Sequence, residues 1–212
     1  MNARDVLSHM WRDVSRRHNC ETSRAQMVLD ELLEAYSGLS RQYHTIDHIA
    51  SLLRKLEHHG HAVGDHDAVA IAILFHDVVY DAQRHDNEER SAVLAGERLT
   101  ALGFPDELVA RVQHYIRATK HDQDLLTGDP GIALLLDLDL SALAAEPSKY
   151  RRYSEAIRRE YGHVPEARYR QERRRILQGF LTRERIFRTD QLYRLWEQRA
   201  RANLGGEIAE LA

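Results

Sequence analysis

Features that would indicate a secreted or membrane protein are missing from this 212-residue sequence. It has a single cysteine, Cys20, so neither an intrachain disulfide nor a multi-cysteine zinc site is expected. No apolar run approaches the roughly 20 residues that a bilayer-spanning helix needs. The first residues, Met1–Asp5, carry charge and no apolar signal segment. These absences predict a cytoplasmic protein that does not enter a membrane.

Proline and glycine are also scarce, at four and eleven residues, and no segment alternates apolar and polar residues as a strand does. The periodic segments predict helices instead, so the expected fold class is all-α. We predict a single domain over residues 1–212, with a core at about 23–145 and basic helices at about 147–205. The predicted helices are Ala3–Arg17, Ser23–Tyr36, the segment from the His44 motif to His59, Asp67–Asp77, Asn87 to near Gly103, Asp106–Ala118, and four that begin near Pro130, Pro147, Pro165 and Asp190.

The net charge of −3 is unevenly distributed along the chain. Residues 149–188 hold 13 Lys/Arg against 5 Asp/Glu, a local balance of +8. Such a segment suits an anionic partner, for example a phosphate-bearing substrate, and equally suits solvated helix faces with internal ion pairs. Arg158 and Arg173–Arg175 are therefore candidate phosphate ligands, although pairing with carboxylates is the more frequent use of such arginines.

Histidine and aspartate are concentrated in three segments. In residues 43–48 (Tyr-His-Thr-Ile-Asp-His), a helical conformation would place both histidines on one face. His76 and Asp77 end an apolar run, where an ionised carboxylate needs a partner or a metal ion. Asp137 and Asp139 interrupt a leucine-rich run and lie roughly 200° apart around a helix axis, so only one readily faces a given site.

Together these segments offer a mixed nitrogen and oxygen ligand set for one divalent metal ion. The residues alone offer His44 or His48, then His76 and Asp77, and one of Asp137 and Asp139. The set does not distinguish Mn, Mg, Co, Ni, Zn or Fe.

The order and spacing of these residues resemble those of the HD superfamily of metal-dependent phosphohydrolases. His76-Asp77 follows His48 by 28 residues, and Asp139 follows Asp77 by 62. The resemblance is to a bacterial family of predicted HD phosphohydrolases, and it spans nearly the whole chain. It implies an all-α HD helical bundle with a C-terminal helical extension and a site between central helices. The segments that resemble this family are Arg41–Ile49, Phe75–Asp81, Asp86–Ala92, Asp137–Ser141 and the tail from Tyr150 to Phe187.

The first segment also resembles the Tyr-His-Asn-x-x-His motif of the cyclic nucleotide phosphodiesterases, with Thr45 in place of the asparagine. That resemblance implies that His48 binds the metal ion and that His44 donates a proton to the leaving oxygen. The Asp-Leu-Ser sequence that begins at Asp139 resembles the one that carries the last metal ligand of those enzymes, which favours Asp139 over Asp137. The metal ligands that the resemblance implies are therefore His48, His76, Asp77 and Asp139.

Catalytic and substrate-binding candidates adjoin these motifs. Asp77 could orient the attacking water as well as bind the metal ion. The candidate substrate-binding residues are Arg41, Glu88, Lys120 and His121.

The predicted activity is metal-dependent hydrolysis of a phosphate ester or anhydride, in a nucleotide or another small phosphorylated metabolite. Two alternatives remain. One is a dinuclear HD enzyme, either a phosphodiesterase or a di-iron oxygenase, with extra ligands from His85, His114 or His121. The other is a non-catalytic module that binds a ligand or nucleic acid through its basic segment. The expected partner is a small phosphorylated substrate rather than nucleic acid, and the leucine-rich faces are compatible with a homo-oligomer.

Overall fold

The computed structural model describes residues 1–60, 64–121 and 128–211 of the chain. No strand occurs among these residues, so the all-α prediction is confirmed. None of the described helices has both the length and the apolar character needed to cross a membrane. The part of the chain that the structure describes contains ten α-helices and a 3-10 helix at Leu140–Ala144. The α-helices are α1 Ala3–Arg17, α2 Thr22–Ala35, α3 Ile46–His59, α4 His66–Phe75, α5 Asn87–Ala101, α6 Asp106–Ala118, α7 Pro130–Asp139, α8 Pro147–Glu160, α9 Glu166–Thr182 and α10 Asp190–Glu210.

Four helices, α1, α2, α4 and α10, begin at a residue whose side chain caps the first turn. At α1, the Asn2 side chain accepts a hydrogen bond from the Asp5 backbone N–H at 2.9 Å, and the Asp5 carboxylate accepts one from the Asn2 N–H at 3.2 Å. This reciprocal pair satisfies two N–H groups that the first turn leaves unpaired. The Thr189 side chain caps α10 by accepting a hydrogen bond from the Leu192 N–H. Helices α1 and α10 both begin where the sequence predicted.

The chain divides into two compact units, Met1–Leu135 and Leu136–Ala212. The division falls inside α7 rather than near Pro147, where the basic helices were predicted to start. The reason is that the 3-10 helix packs against α10 within the second unit. Asn203 of α10 reinforces this packing by donating to the carbonyls of Leu143 at 2.8 Å and Ala145 at 2.9 Å.

In the first unit, α4 is the central helix. Its residues from Ala68 to Phe75 are all buried, and it packs against α1, α3, α5 and α6. Trp11 of α1 meets the Phe75 ring edge-on at 5.9 Å. A helix that is apolar on every side buries its whole surface, so the residues that follow Phe75 emerge in the interior of this unit.

Candidate metal centre

Three of the four predicted metal ligands meet in the first unit. His48 lies in the first turn of α3, His76 is the C-terminal cap of α4, and Asp77 follows it. One ligand atom from each side chain lies within 4.8 Å of the others. Asp77 Oδ2 is 2.9 Å from His76 Nε2 and 3.8 Å from His48 Nε2. The two histidine side chains are 2% exposed and that of Asp77 is 15% exposed, so the group is inside the unit but can be reached from solvent.

The hydrogen bonding of His76 is compatible with a bound cation. His76 Nδ1 lies 3.0 Å from the Ile73 carbonyl oxygen, and because a carbonyl only accepts, Nδ1 carries the hydrogen. In the neutral imidazole the Nε2 lone pair then faces a carboxylate oxygen of Asp77. Two lone pairs at 2.9 Å need a proton or a metal ion between them. The residues therefore fit a bound metal ion.

The donor atoms limit which ions suit the group. Two imidazole nitrogens and a carboxylate oxygen are typical ligands of zinc, iron and other borderline divalent ions, whereas magnesium prefers oxygen alone. Three protein ligands leave a coordination position for water or substrate, as in catalytic rather than structural zinc sites. A further protein ligand such as Asp139 is compatible with ions of higher coordination number.

His44 lies outside the helix that the sequence pattern suggested for it. Helix α3 begins at Ile46 with Thr45 as its N-terminal cap, so His44 and His48 do not share a helical face. Their rings are nevertheless 5.8 Å apart between centroids, and the His44 ring stacks against Tyr80 at 4.3 Å. His44 is half-buried. It therefore lies beside the candidate metal ligands, supported by an aromatic ring.

Arg41, predicted to bind substrate phosphate, is buried next to the ligands. Its guanidinium group donates to main-chain carbonyls of the two segments that carry His44 and Asp77. These hydrogen bonds direct the guanidinium group toward the main chain, and substrate binding by Arg41 stays a prediction.

The segment after Asp77 is held by two side chains whose function was not predicted. The Asn87 amide donates to the Asp81 carbonyl at 2.9 Å and accepts from the Asp81 N–H at 3.1 Å. The Ser91 hydroxyl accepts from the Val79 N–H at 3.1 Å. Both residues lie at the start of α5 and fix the loop that presents Tyr80. The only sequence signal for them was their place in the Asp86–Ala92 segment.

The structure gives the positions of the other three substrate-binding candidates but does not test whether they bind substrate. Glu88 is half-buried in the first turn of α5, one residue beyond Asn87. Lys120 is exposed just after α6, and His121 follows it with a positive φ of 56°. Substrate binding by these three residues stays a prediction.

The two aspartates of α7 differ in their surroundings. Asp137 is fully buried and accepts hydrogen bonds from the Arg188 N–H at 2.6 Å, the Thr189 N–H at 2.8 Å and the Thr189 hydroxyl at 2.7 Å. Burial raises the pKa of Asp137, and these hydrogen bonds oppose the rise. Asp137 thus anchors the start of α10. Asp139 is half-buried where α7 meets the 3-10 helix, and its role as the fourth ligand stays a prediction.

We expect Asp137→Asn to lower the stability of the protein and Asp139→Asn to weaken its metal binding. Asp137→Asn should lower the free energy of unfolding by about 2 kcal/mol, because the introduced amide cannot accept at both oxygens and leaves a buried N–H without a partner. It should leave the metal content unchanged. Asp139→Asn should weaken metal binding with little loss of stability. Urea unfolding and metal analysis of both variants check this expectation, and loss of metal in Asp137→Asn alone would reverse the ligand assignment.

The basic helices of the second unit use the candidate phosphate-binding arginines in ion pairs. Arg158 pairs with Glu166 at 2.9 Å, Arg175 with Glu172 at 3.0 Å, and the buried Arg173 with Glu207 at 2.8 Å. For Arg173 the phosphate-binding prediction is corrected, because its side chain is only 8% exposed and its charge is already paired. Carboxylate pairing, the alternative interpretation, thus applies to Arg158, Arg173 and Arg175. Phosphate binding by Arg158, Arg174 and Arg175 stays a prediction.

Comparisons with protein-family models, with curated proteins and with solved structures gave no match to this chain. The resemblance to the HD superfamily therefore rests on the sequence motifs, and the geometry of the metal centre stands independently of it.

Proposed function

We propose that this protein is an HD-type phosphohydrolase that uses one divalent metal ion to cleave a phosphate ester or anhydride of a small metabolite such as a nucleotide. The observation that carries the proposal is the convergence of His48, His76 and Asp77 from distant parts of the sequence, with His44 beside them. A purely structural His-Asp pair has no need of a second buried imidazole within 3.8 Å of the same carboxylate.

Each residue of the centre has a defined part in this reaction. A bound divalent ion supplies polarisation of a phosphoryl oxygen and activation of water. The Nε2 atoms of His48 and His76 and the Asp77 carboxylate would hold that ion, and Asp77 would also accept a hydrogen bond from the attacking water. His44 donates a proton to the oxygen that leaves phosphorus. Tyr80, stacked on the His44 ring, keeps the imidazole in position.

One ion per chain is favoured over the dinuclear alternative. Among residues 1–60, 64–121 and 128–211, the His48–His76–Asp77 group is the one set of three histidine, cysteine or acidic side chains that comes together. His85 and His114, two of the candidate ligands for a second ion, are exposed.

A phosphatase screen tests the proposal. Metal-free protein should release phosphate from one or more nucleotides or phosphoesters only after Mn²⁺, Co²⁺, Ni²⁺, Zn²⁺ or Mg²⁺ is added. Activity should saturate near one ion per chain, whereas two irons per chain would favour the oxygenase. Full activity of protein shown by elemental analysis to be metal-free would contradict the mechanism.

His44→Gln should separate proton donation from metal binding. The variant should retain its metal ion but lose about 100-fold in kcat on an alkyl phosphate, whose leaving oxygen needs a proton. On p-nitrophenyl phosphate the loss should be small, because that leaving group departs as a stable anion. Steady-state kinetics on the two substrates check this difference. Equal losses on both would show that His44 is not the proton donor.

A further inference from the structure

Arg41 occupies an unusual position for a charged side chain. It is 8% exposed and lies in the loop that precedes α3. Its Nη1 donates to the His44 carbonyl at 3.1 Å and to the Asp77 carbonyl at 2.7 Å, and its Nη2 donates to the Val78 carbonyl at 2.9 Å. One side chain therefore holds main-chain atoms from two segments that are more than 30 residues apart in sequence.

Those two segments carry the metal centre. The first leads through His44 into the turn of α3 that bears His48, and the second is the turn that bears His76 and Asp77. Carbonyls just after a helix C-terminus have no partner within the helix and need donors from elsewhere. Arg41 supplies these donors, and in doing so it sets the spacing between the two ligand-bearing segments.

The guanidinium group also lies over two aromatic rings. Its central carbon lies 5.0 Å from the Tyr36 ring centroid and 5.4 Å from that of Tyr80. Tyr36 is anchored by its hydroxyl, which donates to the Leu74 carbonyl of α4 at 3.0 Å. Tyr80 in turn stacks on His44. These contacts link α4 to His44, the proposed proton donor, through the side chains of Arg41 and the two tyrosines.

We propose that Arg41 is a positioning residue of the metal centre, fixing His48 relative to His76 and Asp77, and that it does not bind substrate phosphate. This inference rests on the proposed function. The hydrogen bonds of Arg41 require arginine, because its planar guanidinium points two nitrogens at three carbonyls and also lies over two aromatic rings. A lysine ammonium is a single point of charge and cannot reproduce this pattern.

Arg41→Lys tests the proposal, with Arg98→Lys as the matched control. Arg98 lies in the same unit, where it pairs with Glu31 on the surface at 2.7 Å. We expect Co²⁺ binding, measured by calorimetric titration, to weaken about 10- to 100-fold in Arg41→Lys, as for other residues that orient metal ligands. The visible absorption spectrum of the bound Co²⁺ should also change. At saturating metal the KM for the phosphate substrate should stay within about twofold, and Arg98→Lys should match wild type throughout.

The outcomes separate this inference from the proposed function. Failure of the wild-type protein to bind Co²⁺ would overturn both. If the wild-type protein binds Co²⁺ and Arg41→Lys binds it with the same affinity and spectrum, the positioning role alone is overturned. A raised KM in Arg41→Lys would identify Arg41 as a phosphate ligand and would also overturn the positioning role.

If Arg41→Lys does not fold, the wild-type protein provides the test. In ¹⁵N-arginine spectra, the ring-current-shifted Arg41 guanidinium resonances should move on addition of Zn²⁺ and not on addition of inorganic phosphate. Movement with phosphate, or none with Zn²⁺, would overturn the proposal.

Discussion

Asp77→Asn is expected to abolish both metal retention and phosphohydrolase activity while leaving the helical fold intact. The substitution keeps the shape of the side chain but removes the negative charge that faces His76 and His48. The introduced amide can also donate to His76 Nε2, which occupies the lone pair that a metal ion needs. Loss of a direct ligand should cost more than the roughly 100-fold that loss of an outer partner costs.

The matched control is Asp47→Asn. Asp47 is exposed in the first turn of α3, one residue before His48, so the control makes the same chemical change beside the site. Elemental analysis after loading with Mn²⁺ or Zn²⁺, together with phosphate release and circular dichroism, measures the effect. Near-stoichiometric metal in Asp77→Asn would remove the basis of the proposed function, even with the fold unchanged.

Local sequence signals predicted the helices well because the relevant interactions are local. Asn2 and Asp5 cap α1 within a single turn, and α4 is recognisable as an uninterrupted apolar run. The three converging ligands were also predictable. His48 and the His76-Asp77 pair stand at the ends of apolar helices, and their spacing matched a known arrangement of metal ligands.

The parts of the site that were not predicted depend on contacts between distant segments. The hydrogen bonds of Arg41 reach main-chain carbonyls whose position is set by the packing of α3 against α4. A sequence shows a charged residue beside a motif but not which way it points, so a phosphate-binding role was the natural prediction. Similarly, the anchoring of Asp137 by backbone N–H groups of residues 188 and 189 has no local signal.

The charge of the second unit left two interpretations open in the sequence, an anion-binding surface and arginines paired with carboxylates. The excess of arginine suggested a surface for anions, yet one of these arginines lies in a buried network around Glu207. The Glu207 carboxylate accepts from Arg173 Nε at 2.8 Å, from the Ser154 hydroxyl at 2.9 Å and from the Tyr150 hydroxyl. Net charge along a sequence does not reveal which charges are paired inside the fold.

This network should make the second unit sensitive to acid. Burial raises the pKa of Glu207, but the hydrogen bonds and charge of Arg173 outweigh it and hold the pKa below the ordinary value of 4.5. A carboxyl group whose pKa is lower in the folded state than in the unfolded state stabilises the fold at any pH above its unfolded pKa. That stabilisation is lost as the pH falls through the pKa of the folded state. The wild-type unit should therefore lose stability as the pH falls below about 4.5.

Glu207→Gln should lower the free energy of unfolding of the second unit by about 3 to 5 kcal/mol at pH 7, because it leaves the Arg173 cation buried without a counter-charge. The variant should also lose most of the acid dependence between pH 5 and 3, since the titrating group is gone. Hydrogen exchange in α8, α9 and α10 as a function of urea and pH measures these effects in the second unit.

Glu146→Gln is the control, because Glu146 pairs with Arg199 on the surface of the same unit at 2.6 Å and should contribute less than about 1 kcal/mol. Equal effects of the two substitutions would mean that burial of the Arg173–Glu207 pair does not stabilise this unit.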